Sequence, residues 1–265
     1  MTKFELILLI TWLLFTLVCL LFCLEARLRY QSKRGIDAEA DFGGRYKYFV
    51  QTIYANEQPV GYELLLREAD PTTGKWHLPA NVAAFPLSMV IAAVEEVTPR
   101  LTEQTKQLGL NLTVTQLTDF RAGYFFSWLL GVTGRVEIDI EIGAQELLAA
   151  NPVQRWVIRR LMTSQRGKRL KFTIEDVDSS RQQYRKLRPF LAATDYLKFN
   201  ATAFNKSANH WIDVTLAQWQ RRLADYEVEP IVGKVEEEGQ MALADQLKID
   251  YRQGYGYGKP RDLAE

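Results

Sequence analysis

After residue 45, eight short β-rich runs alternate with helical stretches, and this alternation restricts the fold more than any other feature. The runs are YKYFVQTIY, VGYELLL, LGLNLTV, GRVEIDIEI, KRLKFTIED, TDYLKFN, VEPIVGKV and IDYRQGYGYG. Most are separated by stretches of helical apolar period, at residues 85–97, 144–162, 182–191, 208–226 and 237–247. Eight strands interleaved with helices point to an α/β fold, a TIM-like (β/α)8 parallel barrel, and roughly 220 residues is close to the ~250 usual for one. A doubly wound open sheet is the alternative, but no G-x-G-x-x-G follows the first run to support it.

Residues 6–24 form an almost unbroken apolar run, close to the roughly 20 residues that cross a bilayer as a helix. Lys3 precedes it; Arg27, Arg29, Lys33 and Arg34 follow. By the positive-inside rule the following chain lies in the cytoplasm and the short N-terminus outside. A cleaved signal peptide fits less well, because the run exceeds a 7–15-residue apolar region and no A-x-A-like site follows. The expected organisation is a transmembrane anchor at 1–26, a polar linker or frayed helix end at 27–44, and a barrel domain at 45–265. This describes a single-pass cell-membrane protein.

Charge and cysteine content exclude several functions. There are 33 Lys and Arg against 32 Asp and Glu; five and two of these fall in residues 1–35, leaving 28 against 30 beyond. The remainder has no overall basic bias for binding a nucleic-acid duplex, and short runs such as 155–160 and 166–171 read as solvated helix and turn faces. Cys19 and Cys23 both lie in the apolar run, so the rest of the chain has no thiol or disulfide. His77 and His210 alone cannot build a zinc site.

Barrel chemistry sits where strands end. In order, the strand ends carry Gln51, Glu63, Asn111, Asp139, Glu175 with Asp176, Lys198, the segment Val232, Gly233 and Lys234, and Gln253. Carboxylates and an amide on successive strands would converge as an all-oxygen cage, suiting Mg2+ or Mn2+ and metal-assisted phosphate chemistry. A buried Glu63 ahead of three leucines then has a cation to face.

These residues resemble those of the EAL domains, the cyclic di-GMP phosphodiesterases, whose fold is a modified TIM barrel. GYELLLR resembles G-F-E-A-L-L-R, LNLT resembles N-L-S, and RVEIDIEI resembles an L-E-L-T-E strand. TIEDVDSS resembles D-D-F-G-T-G, DYLKFN resembles L-K-I-D, and QGYGYGKP resembles Q-G-Y-x-x-G-x-P. Residues 79–82 resemble P-x-x-F, and the likeness runs from Tyr46 to about Leu263. It implies that Glu63, Asn111, Asp139 and Glu175 are metal ligands for Mg2+ or Mn2+. Lys198 matches the lysine that steadies the attacking water, and Asp176 the second aspartate of the acidic pair. Gln51, Arg67 and Gln253 match positions that hold the dinucleotide or line the mouth.

The departures from that pattern bear on function. A-E-G-V-E falls on residues 232–236, so Gly233 replaces the catalytic glutamate. Asp139 and Glu175 exchange carboxylate lengths, and Mg2+ demands near-ideal octahedral placement. Both glycines of the loop after the fifth run become Asp178 and Ser180, and the glutamate anchoring that loop becomes Ile142. The expectation is therefore a degenerate, membrane-anchored EAL protein that binds cyclic di-GMP or a protein partner with little or no hydrolysis. The alternative is an active or slow metal-dependent phosphodiesterase giving pGpG. A homodimer and an unidentified protein partner are further partners that the resemblance leaves open.

Overall fold

The computed structural model describes residues 2–36, 44–79, 82, 85–165, 168–205 and 211–263. The chain divides into two units, residues 1–41 and 42–265.

The first unit holds one helix, α1 (Lys3–Ile36). Its segment Lys3–Arg27 has a mean hydropathy of 2.9 with none of the window buried, which makes it long and apolar enough to cross a membrane. The helix continues to Ile36, so residues 27–36, expected as linker or frayed helix end, are helical. Residues 37–43 lie outside the described residues.

The second unit is a closed barrel. It begins with an antiparallel hairpin of β1 (Tyr46–Ala55) and β2 (Gln58–Ala69), joined through Asn56 and Glu57 at φ 49° and 65°. Positive φ at both turn residues matches the tight turn whose twist suits a hairpin. The two-residue β3 (Trp76–His77) adds to the edge of β2.

Next come α2 (Leu87–Val97), β4 (Gln107–Asn111), α3 (Val114–Thr118), α4 (Ala122–Val132) and β5 (Glu137–Gly143). The following elements are α5 (Ala144–Ala149), α6 (Pro152–Gln165), β6 (Leu170–Val177), α7 (Arg181–Leu191) and β7 (Tyr196–Asn200). The chain ends with α8 (Leu216–Leu223), β8 (Glu229–Gly233), α9 (Glu238–Gln246) and β9 (Tyr251–Arg252).

Strands β2, β4, β5, β6, β7, β8 and β9 pair in parallel in that order, and β1 closes the ring by pairing antiparallel with both β2 and β9. The expectation of a wholly parallel barrel is corrected here. The two-residue turn at 56–57 leaves no room for a crossover helix, so β1 must run against β2.

All eight expected strands exist, though the last is paired only at Tyr251 and Arg252. The helix expected over 144–162 is broken by Pro152 into α5 and α6. The stretch expected over 208–226 becomes helical only at Leu216, where the Thr215 hydroxyl accepts from the Gln218 N–H; residues 208–210 lie outside the described residues. Helices α3 and α4 lie outside the helical stretches expected from the sequence, and α4 buries Phe125 and Phe126 against the core.

Strand β5 shows how the sequence builds both sides of the wall. Ile138, Ile140 and Ile142 have no exposure, and the alternating Asp139 and Glu141 are also buried. Successive side chains on a strand point to opposite faces, so one face of β5 is apolar and the other carries acids.

Candidate functional site

The acidic face of β5 meets its neighbours at the mouth of the barrel. Glu141 pairs in register with Asn111 of β4, whereas Asp139 pairs with Gly109, two residues deeper. The side chains of Glu63 on β2, Glu175 on β6 and Lys198 on β7 converge with that of Glu141. Oxygens from Glu63, Glu141 and Glu175 lie within 4.8 Å of one another.

Lys198 is the hub. Its Nζ donates to Glu141 Oε2 at 2.6 Å and to Glu63 Oε2 at 2.8 Å, and lies 3.9 Å from Glu175 Oε2. Asn111 Nδ2 donates to Glu63 Oε1 at 2.7 Å, and Gln253 Nε2 donates to Glu63 Oε2 at 2.6 Å. Gln253 Nε2 also reaches Gln51 Oε1 at 3.2 Å, while Gln51 Nε2 donates to the Gly258 carbonyl at 2.8 Å. The charge of Glu63 is thus met by three donors.

Burial and charge set the protonation of this cluster. Burial alone would raise the Glu63 carboxyl, but the Lys198 charge and the hydrogen bonds from Lys198, Asn111 and Gln253 outweigh it and hold it below its usual value. Glu141 is pushed well up, first by burial and then by the Glu63 charge, against the pull of Lys198. Burial raises Glu175 to about 7, with Lys198 opposing. Burial works against the Lys198 ammonium, yet the charges of Glu141, Glu63 and Glu175 hold its pKa well above the usual lysine value. Two carboxyls that gain from a second cation therefore flank one that is already satisfied.

Gly109 makes room for the cluster. A Cβ there would come within 2.6 Å of Glu141 Oε1. Gly233, at the end of β8, forms the neighbouring wall; a Cβ there would meet Lys198 Cε at 3.2 Å and Cγ at 3.3 Å. Gly233 itself supplies no carboxylate there, and Glu236, three residues on, is exposed and lines the same cleft.

Of the residues singled out from sequence, Gln51, Glu63, Asn111, Glu175, Lys198 and Gln253 come together. Asp139 does not join them. It is fully buried below the mouth, with Thr173 Oγ1 2.7 and 2.8 Å from its two carboxylate oxygens. Glu141 occupies the place expected for Asp139, because strand register rather than local sequence sets depth in the barrel. The same two-residue shift moves the loop-anchor position from Ile142 to Ala144, which also lacks a carboxylate.

Asp176 is exposed, has φ 55° where β6 bulges, and pairs with Lys234. Arg67 Nη1 donates to the Leu66 carbonyl at 2.8 Å and lines the mouth. Residues 80 and 81 of the segment 79–82 lie outside the described residues. Glu141, Gly109 and the Lys234 pairing are functional features that the strand-end pattern misses; only Glu141 leaves a signal in the sequence, as an acid two residues from Asp139 on the same strand face.

Two adjoining clefts of about 340 and 470 Å³ open at this mouth and share Glu63, Arg67, Glu175, Asp176 and Lys234. Gln51, Lys198, Gly233 and Gln253 line the first, while Asn111 and Glu141 line the second.

No protein-family model matches the sequence, and no curated protein sequence matches it. Solved structures do. The barrel is similar to the EAL domain of FimX from Pseudomonas aeruginosa bound to c-di-GMP, at 17% identity and TM-score 0.61, covering 82% of this chain and 90% of that one. The Xanthomonas citri FimX EAL domain in complex with c-di-GMP aligns at 13% identity and TM-score 0.66, covering 89% of this chain and 95% of that one. The Bacillus subtilis YkuI protein, solved with c-di-GMP and calcium, aligns at 15% identity and TM-score 0.65, covering 82% of this chain and 56% of that one. The fold of the second unit is that of an EAL domain.

Proposed function

We propose that this chain is a membrane-anchored, degenerate EAL protein that binds cyclic di-GMP, or signals to a protein partner, with little or no hydrolysis. The observation that carries the reading is at the end of β8, where Gly233 supplies no acid or base beside Lys198 while Asp176 is engaged by Lys234. Losing an acid/base group typically costs about 10²–10⁴-fold in rate. The rest of the mouth is furnished for a dinucleotide: Gln51, Arg67 and Gln253 offer amide and guanidinium groups, and the clefts are of small-ligand size.

Glu63, Glu141 and Glu175 form a carboxylate set whose chemistry and spacing fit a divalent cation, Mg2+ or Mn2+, and Asn111 stands beside it on Glu63. Such an ion would polarise a phosphoryl oxygen and supply hydroxide near neutral pH. The chain's own part is to hold the carboxylates in place. Lys198 neutralises Glu63 and Glu141, and Gln253 and Asn111 fix the orientation of Glu63. The helix Lys3–Arg27 supports a single-pass anchor, and Arg27 and the basic residues after it support a cytoplasmic barrel.

The full chain in detergent, titrated calorimetrically with cyclic di-GMP with and without Mn2+, tests the binding reading; micromolar affinity supports it, and no heat in either titration leaves only a protein partner. One observation favours slow phosphodiesterase activity instead: Glu141 fills the acidic position that Asp139 leaves, so three carboxylates remain at the mouth.

A further inference from the structure

Helices α6, α7 and α8 together carry nine Arg or Lys and no Asp or Glu, whereas α2 and α9 carry acids and no base. The three basic helices adjoin on the barrel exterior. A shallow cleft between α6 and α7 is lined by Arg155, Trp156, Arg159 and Lys186, and Tyr184 of α7 packs edge-on against Trp219 of α8 at 4.9 Å. Arg159, Arg160, Arg185 and Lys186 are exposed, and among the described residues none of them pairs with a carboxylate within 4 Å. On the same surface Trp156 is 52% and Val153 69% exposed, and the Arg160 guanidinium lies 5.4 Å from the Trp156 ring centre. A solvated helix face has no need of an exposed tryptophan, whereas a tryptophan among cations is what the headgroup layer of a bilayer selects.

We propose that this α6–α7–α8 face docks onto an anionic lipid surface. The proposal rests on the reading of Lys3–Arg27 as a membrane span. The helix runs nine residues past Arg27 to Ile36, about 14 Å, and the nine residues between Ile36 and Tyr46 reach at most about 30 Å fully extended, so a bilayer stays within range of the barrel. Each cation brought to an anionic leaflet favours contact by about fivefold, through an attraction that salt screens. Trp156 and Val153 supply the apolar contact that confines the face to the interface.

The test places the full chain in nanodiscs of phosphatidylcholine alone, or with phosphatidylglycerol at roughly three to one, and follows hydrogen exchange over 152–165 and 181–191. Exchange should be about threefold or more slower in the anionic discs. That difference should vanish in about 0.5 M salt and in an Arg159→Glu/Arg160→Glu/Lys186→Glu variant, while exchange within the strands β4, β5 and β6 themselves stays unchanged. Equal exchange in both kinds of disc overturns the proposal. Protection that arises only on adding a DNA duplex or an acidic polypeptide also overturns it, in favour of that partner. Should the chain fail to enter discs, the membrane span is refuted; sedimentation with preformed vesicles of the two compositions then judges the face separately, and equal partition to both refutes it.

Discussion

Lys198 Nζ lies 2.6 Å from Glu141 Oε2, and this contact joins the Glu63 side of the barrel mouth to the residue that the sequence pattern passed over. The ammonium sits among three carboxylates where an ion of higher charge would also be welcome. A divalent cation bound there would neutralise the same acids as Lys198. Removing the lysine exposes how much of the barrel's stability depends on it.

Replacing Lys198 with Met should cost about 3–5 kcal/mol in the presence of a chelator, because Glu63 and Glu141 would be left as buried acids without a counter-charge. Mn2+ should recover part of that loss. Chemical denaturation of the full chain in detergent checks both effects, and a variant as stable as the parent would show that the carboxyls are neutral without the lysine.

Glu141 and Asp139 make a matched pair of probes. Glu141→Gln should weaken Mn2+ binding by about tenfold or more, since a ligand counts for at least as much as an outer-shell partner. Asp139→Asn, buried on Thr173 below the mouth, should change it by no more than about twofold. Titration of the two variants with Mn2+ decides the matter, and the reverse order of effects would restore Asp139 to the site.

Asp139 should announce itself through pH instead. Burial raises its carboxyl to about 7, with Thr173 opposing, so the folded chain keeps a proton that the unfolded chain releases near pH 4. Its stabilising contribution is full below that unfolded value and is lost as pH rises through about 7. In chelator, stability should fall over this window, and Asp139→Asn should flatten the slope by up to about 1.4 kcal/mol per pH unit. Parallel slopes for parent and variant would mean that this carboxyl is ionised throughout.

What the sequence revealed and what it hid divide along a physical line. The eight strand runs, the apolar helix and the convergence of Glu63, Asn111, Glu175, Lys198 and Gln253 were legible, because alternation and strand-end position are local properties. The depth of a residue inside the barrel is not local. Acids at 137, 139 and 141 share one strand face, and only the contact of Lys198 with Glu141 shows which of them joins the mouth. The direction of β1 hid behind a two-residue turn with positive φ. The space that Gly109 leaves for Glu141 requires two strands to be seen together.

Gly233→Glu should raise metal-dependent cleavage of cyclic di-GMP, and more so in combination with Glu175→Asp. The first atom of the new side chain would stand 3.2 Å from Lys198 Cε, close enough that the lysine must give by a few tenths of an ångström. Turnover that is unchanged in the double variant would locate the defect in the loop at 177–183 rather than at the vacant strand end.

The most direct test of the central claim is turnover by the unmodified chain. Purified full-length protein in detergent, supplied with cyclic di-GMP and Mn2+ and assayed for pGpG, should bind the dinucleotide yet cleave it at least about 100-fold more slowly than an active EAL phosphodiesterase under the same conditions. Cleavage within that margin would contradict the account and make Gly233 compatible with catalysis.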